Sequence, residues 1–308
     1  MLVDHPHPLF LLARWSLWRA LAIIIYTAVV FTIDSYHPLA VGVFATQVGI
    51  LGTAVAFYIG FKNNQAYDRF WEARKAWGSI VNTSRTFAVA AIDHLRPSST
   101  SEQPIAEVQR ELVQRHIAWV HALRIALTRR GDYAIELEPF LSAADLEAAV
   151  AAPNVPTWIL RRQSQRIEFL VDHGAIEGFA RHFDLRSCIR DLYDHQGVCE
   201  RIRNTPLVPH YTSLATLLVR GYQLILPFSL LHALDGEWSW AVLPAAAAIS
   251  WVFDTMDRIG KQTEDPFSGK PTDVSTTAIS RTIEIDLRAM LGDQHLPAPL
   301  KPVDGIVD

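Results

Sequence analysis

The chain has 308 residues and a formal net charge of −4, and 50% of its residues are hydrophobic whereas 19% are charged. Soluble domains carry about 25% charged residues, so this balance favours a chain that is partly embedded in lipid. The sequence pI near 6.3 argues against a nucleic-acid-binding surface, and the mean hydropathy of +0.13 excludes a chain made only of membrane spans.

Four apolar segments predict membrane helices, because a helix needs about 20 mostly apolar residues to cross a bilayer. The segments are 17–33, 40–61, 211–234 and 238–253. They pair into two hairpins, 17–61 and 207–256, whose short connections contain no Lys or Arg, whereas basic residues flank the opposite ends. The positive-inside rule therefore places both termini, the region 62–206 and the segment 257–308 in the cytoplasm. The alternative is a soluble α-helical domain in which these segments form the core.

The sequence of region 62–206 favours helices throughout, since no alternating strand pattern occurs in it. The second apolar segment continues without a break into a polar helix that ends near Leu95. Further helices are predicted over 105–128, 157–179 and 185–204, and a short helix follows Ser142, which has capping spacing to Asp145. The sequence thus predicts an all-α protein that forms a single unit over residues 1–308.

Motifs of catalysis or metal binding are absent from the sequence. It contains no P-loop, no GxGxxG, no GxSxG and no CxxC pair. His116 and His121 are five residues apart, which is poor spacing for a shared metal on one helical face. Cys188 and Cys199 are expected to be unpaired thiols in a reducing compartment. We therefore predict no enzymatic activity, no cofactor and no metal site; a soluble helical enzyme is the remaining alternative of that class.

A polar and aromatic run follows the second apolar segment directly. From Gly60 it reads GFKNNQAYDRFWEARKAWGSIVNTSRT, and it resembles the signature of the bestrophin family, including its bacterial members. Three shorter stretches, 199–207, 264–267 and 281–287, resemble other parts of that family in the same order along the chain. The resemblance extends over about residues 40–290.

The resemblance implies a homopentamer in a bacterial inner membrane, with one axial pore lined by the second span of each subunit. Thr53, Phe57 and Phe61 stand at i, i+4 and i+8, so they form one stripe along a helix. The resemblance makes these positions the pore neck, where apolar rings gate by dewetting. The same spacing is also typical of ordinary packing between helices. Leu207 matches a second constriction, the aperture, between Pro206 and Pro209.

Two asparagines and one arginine carry further expectations, about ion contact and about charge pairing. Asn63 and Asn64, just inside the neck, are predicted to contact an ion that is losing its hydration shell, the alternative being a solvated helix surface. Arg220 lies inside the third span, where a charge facing lipid is costly, so Asp254 or Glu72 is expected as its partner.

The calcium clasp of animal family members is missing here. Its acidic cluster would follow Asp265-Pro-Phe267, but Lys270 stands in this stretch and only Asp273 remains acidic. Calcium requires several oxygen ligands with net negative charge. We expect no activation by calcium.

The predicted function is a passive channel subunit that conducts chloride or other small anions. Two alternatives stay open on the sequence alone. One is a channel of the same fold that selects monovalent cations, since no charged ring in the neck decides the sign of the ion. The other is a non-conducting membrane scaffold or sensor whose cytoplasmic helices bind a partner.

Overall fold

The computed structural model describes residues 8–36, 45–97, 104–234 and 236–302, and these are almost wholly helical. The helices are α1 (Pro8–Tyr36), α2 (Ala45–Asp93), α3 (Ile105–Thr128), α4 (Tyr133–Leu137), α5 (Ala143–Val150), α6 (Val155–Asp172), α7 (Phe179–Asn204), α8 (Pro209–Ala233), α9 (Val242–Thr263) and α10 (Thr276–Met290), with a 3-10 helix at Gly236–Ala241. Within the described ranges the β structure is one isolated bridge, between Leu95 and Ile176. The all-α prediction is confirmed.

Local signals place several helix ends correctly. α3 has the predicted bounds, and the Ser142 hydroxyl accepts a hydrogen bond from the Asp145 backbone N–H at 3.2 Å, which caps the start of α5. α8 begins two residues before the predicted segment 211–234: its first residue is Pro209, where a missing N–H costs nothing.

The predicted helix over 157–179 is wrong in length. α6 ends at Asp172, and the chain then passes through Gly174 and Gly178, whose φ angles are 71° and 88°. This left-handed region favours glycine, so the two glycines stop one helix and allow the next to start at Phe179 rather than at 185.

The chain divides into two compact units. One comprises Trp71–Thr205 and the described residues from Pro266 onwards; the other comprises the described residues up to Phe70 together with Pro206–Asp265. We call them the cap unit and the span unit. α2 contributes residues to both, because the division falls between Phe70 and Trp71. The predicted membrane boundaries at 61/62, 206/207 and 256/257 stay predictions.

The core of the span unit lies where α2 meets α8 and α9. Val55 and Ile59 of α2 are buried against Val219 and Tyr222 of α8. Gly52 permits the close approach, since a Cβ there would lie 2.8 Å from the Tyr222 hydroxyl oxygen. Each fully buried aliphatic side chain contributes about 1.5–3 kcal/mol. α1 packs on α8 and α9.

Two described helices are long and apolar enough to cross a membrane, over Trp18–Tyr36 and His210–Leu231. They correspond to the first and third predicted spans. Part of the second predicted span, residues 40–44, lies outside the described residues. The second and fourth spans stay predictions.

The core of the cap unit is built around α3, which packs against α6, α7 and α10. The buried Trp119 indole N–H donates to Gln196 of α7 at 3.1 Å. His116 lies between the rings of Phe87 and Trp119, and burial lowers its pKa to about 3, so it is a neutral core residue. His121 instead lies 3.3 Å from the carboxylate of Glu284, so the two histidines have different surroundings.

Both cysteines lie in α7 of the cap unit. Cys188 and Cys199 are buried and unpaired, which confirms the prediction of free thiols. Burial raises the pKa of Cys188 to about 11 and that of Cys199 to about 12. Protonated, buried thiols are poor nucleophiles.

Candidate functional site

One face of α2 is exposed along the span unit, although it carries no charge. Ile50, Phe57 and Phe61 are 67%, 65% and 62% exposed, and Thr53 is exposed between them. The spacing of three or four residues places all of them on one side of the helix. We call these four residues the α2 stripe. Ile50 extends the predicted stripe of Thr53, Phe57 and Phe61 by one turn.

The stripe is the side of α2 that the span unit leaves uncovered. The opposite side, with Val48, Val55 and Ile59 at 4%, 1% and 0% exposure, forms the core with α8 and α9. Large exposed apolar faces on a protein mark a surface that meets lipid or another protein. The packing alternative for Phe57 and Phe61 therefore finds no partner among the described residues of the span unit.

The side chains of the stripe offer ring surface rather than hydrogen-bonding groups. The Phe57 and Phe61 ring centroids are 6.4 Å apart with an interplanar angle of 29°. The Thr53 hydroxyl donates to the Gly49 carbonyl at 3.0 Å, so its proton is used inside its own helix. Such a surface binds water weakly, which is the property that a hydrophobic gate requires.

The two predicted ion-contacting amides have different environments. Asn63 donates its side-chain N–H to the Met256 carbonyl of α9 at 2.8 Å. Asn64 is exposed, and it continues the α2 stripe because it follows Phe57 by seven residues. The structure therefore places Asn64, but not the Asn63 amide, with the stripe. An ion contact at either position stays a prediction.

Directly behind the stripe lies a buried cation that sequence reasoning did not single out. The Lys62 side chain is fully buried, and its Nζ lies 2.6 Å from Oδ1 of Asp257 in α9. The same carboxylate lies 3.0 Å from Nζ of Lys261 and accepts from the Thr216 hydroxyl at 3.3 Å. Two lysines on one aspartate leave a net charge of +1 next to Phe61.

The charge inside the third predicted span is paired as expected. Arg220 lies 3.0 Å from Oδ1 of Asp254, which confirms one of its two predicted partners. The other, Glu72, forms an ion pair with Arg201 within the cap unit. Arg19 of α1 also donates to both Asp254 oxygens, at 2.9 and 3.1 Å.

The predicted aperture residue lies on the short link between α7 and α8. Leu207 is half-buried and lines a mainly apolar cavity of about 410 Å³ together with Tyr58 and Tyr211. The Tyr58 hydroxyl donates to the Tyr211 carbonyl at 3.2 Å, and the two rings are 4.8 Å apart. These contacts hold the start of α8 against α2. The role of Leu207 as a constriction stays a prediction.

Among the described residues no group of three or more His, Cys, Asp or Glu side chains is placed to hold a metal ion. Asp273, which remains near the expected calcium clasp, accepts from the Ser268 hydroxyl at 3.0 Å and from the Lys270 backbone N–H at 3.1 Å. The Asp273 carboxylate thus forms hydrogen bonds within its own loop. Independence of calcium stays a prediction.

Residues 13–289 match the family model described as "Bacterial/Fungal Bestrophin protein". A voltage-dependent anion channel-forming protein of Mesorhizobium japonicum is 32% identical over 280 residues, which are 89% of this chain and 85% of that protein. The voltage-dependent anion channel-forming protein YneE of Escherichia coli K12 is 30% identical over 275 residues, 89% of this chain and 86% of YneE.

The fold is also that of a solved structure. A bacterial bestrophin homologue from Klebsiella pneumoniae superposes with a TM-score of 0.82 and 24% identity, covering 91% of this chain and 99% of that one. This likeness concerns the arrangement of the helices. The matched residues include α2 and its stripe, because the family match runs from residue 13 to residue 289.

Proposed function

Because this chain belongs to the bacterial and fungal bestrophin family, we propose that it is the pore-forming subunit of a passive channel for chloride or other small anions. The names of the relatives from Mesorhizobium japonicum and Escherichia coli support the anion. The observation that carries the proposal is the α2 stripe, an uncharged apolar helix face that the span unit leaves open.

Several copies of the chain are needed, because one helix cannot enclose a pore. A ring of α2 helices, five in the proposed homopentamer, turns Phe57 and Phe61 towards a common axis. A narrow tube lined by such rings loses its water easily, so a small change in diameter switches conduction. Leu207, at the start of α8, forms the second constriction in this proposal.

The charge next to the stripe favours anions over cations. Lys62, Asp257 and Lys261 together carry +1 per subunit, and Lys62 is fully buried. Asp257 neutralises the buried Lys62, so the surplus charge is that of Lys261, whose side chain is partly exposed. Repeated around an axis, this group makes the potential beside the neck positive, which attracts anions.

The proposed membrane arrangement has four spans in two hairpins, with both termini in the cytoplasm of a bacterial cell and the chain in its inner membrane. The apolar residues exposed on α1 support it. Leu21, Ile25 and Val29 are exposed and share one side of the helix. Lipid tails are the solvent that such a surface prefers.

Chloride efflux from liposomes tests the proposal. The wild type should release chloride, and Phe57→Ala combined with Phe61→Ala should release it several-fold faster, because the neck becomes wider and holds water better.

The chain offers a matched control in Phe179→Ala combined with Phe183→Ala. These residues form an exposed pair on α7 with the same i, i+4 spacing and a centroid distance of 5.8 Å. The control pair should leave the efflux unchanged. If the wild type and the Phe57/Phe61 variant are both silent, the scaffold or sensor alternative is the better account.

A further inference from the structure

Three arginines surround one carboxylate in the span unit. Arg19 of α1, Arg220 of α8 and Arg258 of α9 lie 2.9, 3.0 and 4.0 Å from the oxygens of Asp254. The Asp254 side chain is only 4% exposed. Arg19 and Arg220 alone bring two positive charges to this one negative charge, which leaves a surplus of +1. Surplus charge in an apolar environment requires a counter-ion.

Two of the three arginines are accessible from outside the span unit. The side chains of Arg19 and Arg220 are each 41% exposed. The surface beside them is apolar: Leu217 and Leu224, on the same side of α8 as Arg220, are exposed, and so is Trp18 of α1. A cationic group therefore opens onto a hydrophobic surface.

The position of the cluster along the chain places it at the cytoplasmic boundary of the proposed membrane region. Arg19 is two residues inside the first predicted span, and Asp254 directly follows the last residue of the fourth. Arg220 lies nine residues inside the third predicted span, about 14 Å along the helix. Its guanidinium group nevertheless lies at the level of Asp254, which it contacts at 3.0 Å.

Partner geometry fixes the two accessible guanidinium groups. Arg19 donates from one nitrogen to both oxygens of Asp254, and Arg220 uses one nitrogen for Asp254 and the other for Gln223 of its own helix, at 2.9 Å. A guanidinium has five N–H donors, so each group keeps donors for another acceptor. Held in place, they lose little conformational freedom when an anion binds.

We infer that Arg19 and Arg220, fixed by Asp254, bind the phosphate group of an anionic phospholipid in the cytoplasmic leaflet. Guanidinium groups match phosphate oxygens bidentately, and basic pockets between membrane helices on the cytoplasmic side suit lipid headgroups. The acyl chains then cover Leu217, Leu224 and Trp18. This site lies on α1, α8 and α9 rather than on the α2 stripe, and lipid binding there does not require conduction.

Lipid binding to the purified full-length protein tests the inference. The protein in a neutral detergent is titrated with dioleoylphosphatidylglycerol, which is anionic, or with dioleoylphosphatidylcholine, which has the same chains and no net charge. The shift of the melting temperature is recorded. The wild type should be stabilised by phosphatidylglycerol at concentrations where phosphatidylcholine has no effect.

Variants assign the effect to the cluster. Arg19→Gln and Arg220→Gln should each weaken the phosphatidylglycerol response about tenfold in concentration, the loss expected from one charge-assisted contact. Arg190→Gln is the control, since this arginine is 65% exposed on α7 and pairs with its neighbour Asp191. It should respond like the wild type. Arg220→Lys, which keeps the charge but not the planar fork, should fall between the wild type and Arg220→Gln.

Three results would overturn the inference. The first is an equal response of the Arg19 and Arg220 variants and the wild type. The second is an equal response to the two lipids, which would point to a carboxylate of a neighbouring subunit as the counter-ion. The third is an equal effect of inorganic phosphate at the same concentration, which would make this a site for free anions. If Arg220→Gln does not fold, Arg19→Gln and Arg220→Lys decide. Chloride efflux is measured on the same preparations. Efflux from a variant that no longer responds to phosphatidylglycerol, or a lipid response without efflux, distinguishes a failure of the lipid site from a failure of the channel.

Discussion

The buried Lys62–Asp257 pair predicts unequal effects for its two members. Asp257→Asn leaves the ammonium group of Lys62 fully buried, with the residue 257 carbonyl 3.4 Å away and no negative charge within 4.0 Å among the described residues. Removing one partner of such a pair costs about 3–5 kcal/mol, because the other charge stays in an apolar site.

Lys62→Met should cost less. The Asp257 carboxylate then keeps Lys261 at 3.0 Å and the Thr216 hydroxyl at 3.3 Å, so its charge remains compensated. Met has nearly the length of Lys and fills the same space. We expect a loss of about 1–2 kcal/mol, in the range of one hydrogen bond to a charged group. The double variant Lys62→Met/Asp257→Asn should therefore be more stable than Asp257→Asn alone.

Unfolding of the purified protein by sodium dodecyl sulfate, titrated into neutral-detergent micelles, gives the free energies. Asp286→Asn is the control, because Arg85 and Asp286 in the cap unit also approach to 2.6 Å but are 46% and 30% exposed. An exposed pair of this kind contributes about 0–1 kcal/mol. Equal losses for Lys62→Met and Asp257→Asn, or a double variant no more stable than Asp257→Asn, would refute the buried pair.

Three further predictions concern pH, thiol reactivity and packing. Burial raises the pKa of Glu284, but the hydrogen bond with His121 and nearby arginine charges outweigh it and hold this pKa below 4.5. The ionised Glu284 carboxylate therefore stabilises the folded protein fully above pH 4.5, and this stabilisation is lost as the pH falls through the lower folded-state pKa. Glu284→Gln should flatten the acid side of a plot of melting temperature against pH. An unchanged plot would contradict the assignment. Cys199, whose pKa burial raises to about 12, should react with a maleimide slowly in the native protein and quickly after denaturation, and equal rates would show that it is accessible. Gly52→Val should lower the free energy of unfolding by about 1–3 kcal/mol, because the valine side chain would overlap the Tyr222 ring. Gly60→Val is the control, since a Cβ at residue 60 meets no atom within 4 Å. Equal losses of stability in the two variants would contradict the contact between Gly52 and Tyr222.

The sequence predicts the helical architecture well where local signals are strong. Ser142 caps α5, as its spacing to Asp145 predicts, and α3 has the predicted bounds. The predicted boundary between α6 and α7 is wrong, because Gly174 and Gly178 adopt left-handed φ angles that hydrophobic periodicity does not reveal. Local propensity also gave no sign of the five-residue helix α4.

The candidate site was predictable in part. Helical spacing alone places Thr53, Phe57 and Phe61 on one side, but it does not say whether that side is covered; the burial of Val55 and Ile59 on the other side decides this. Because a charge is costly in a membrane span, the sequence predicts a carboxylate partner for Arg220. No such rule leads from Lys62 to an aspartate 195 residues away, because the pair forms only when α2 and α9 pack.

The reversal potential of the current through the purified protein tests the central claim most directly. In a planar bilayer with a tenfold gradient of potassium chloride, an anion channel carries current that reverses near the equilibrium potential of chloride, and we predict this result for the wild type. Reversal near the equilibrium potential of potassium would contradict the anion assignment and favour the cation-selective alternative. The absence of any current would contradict the channel itself.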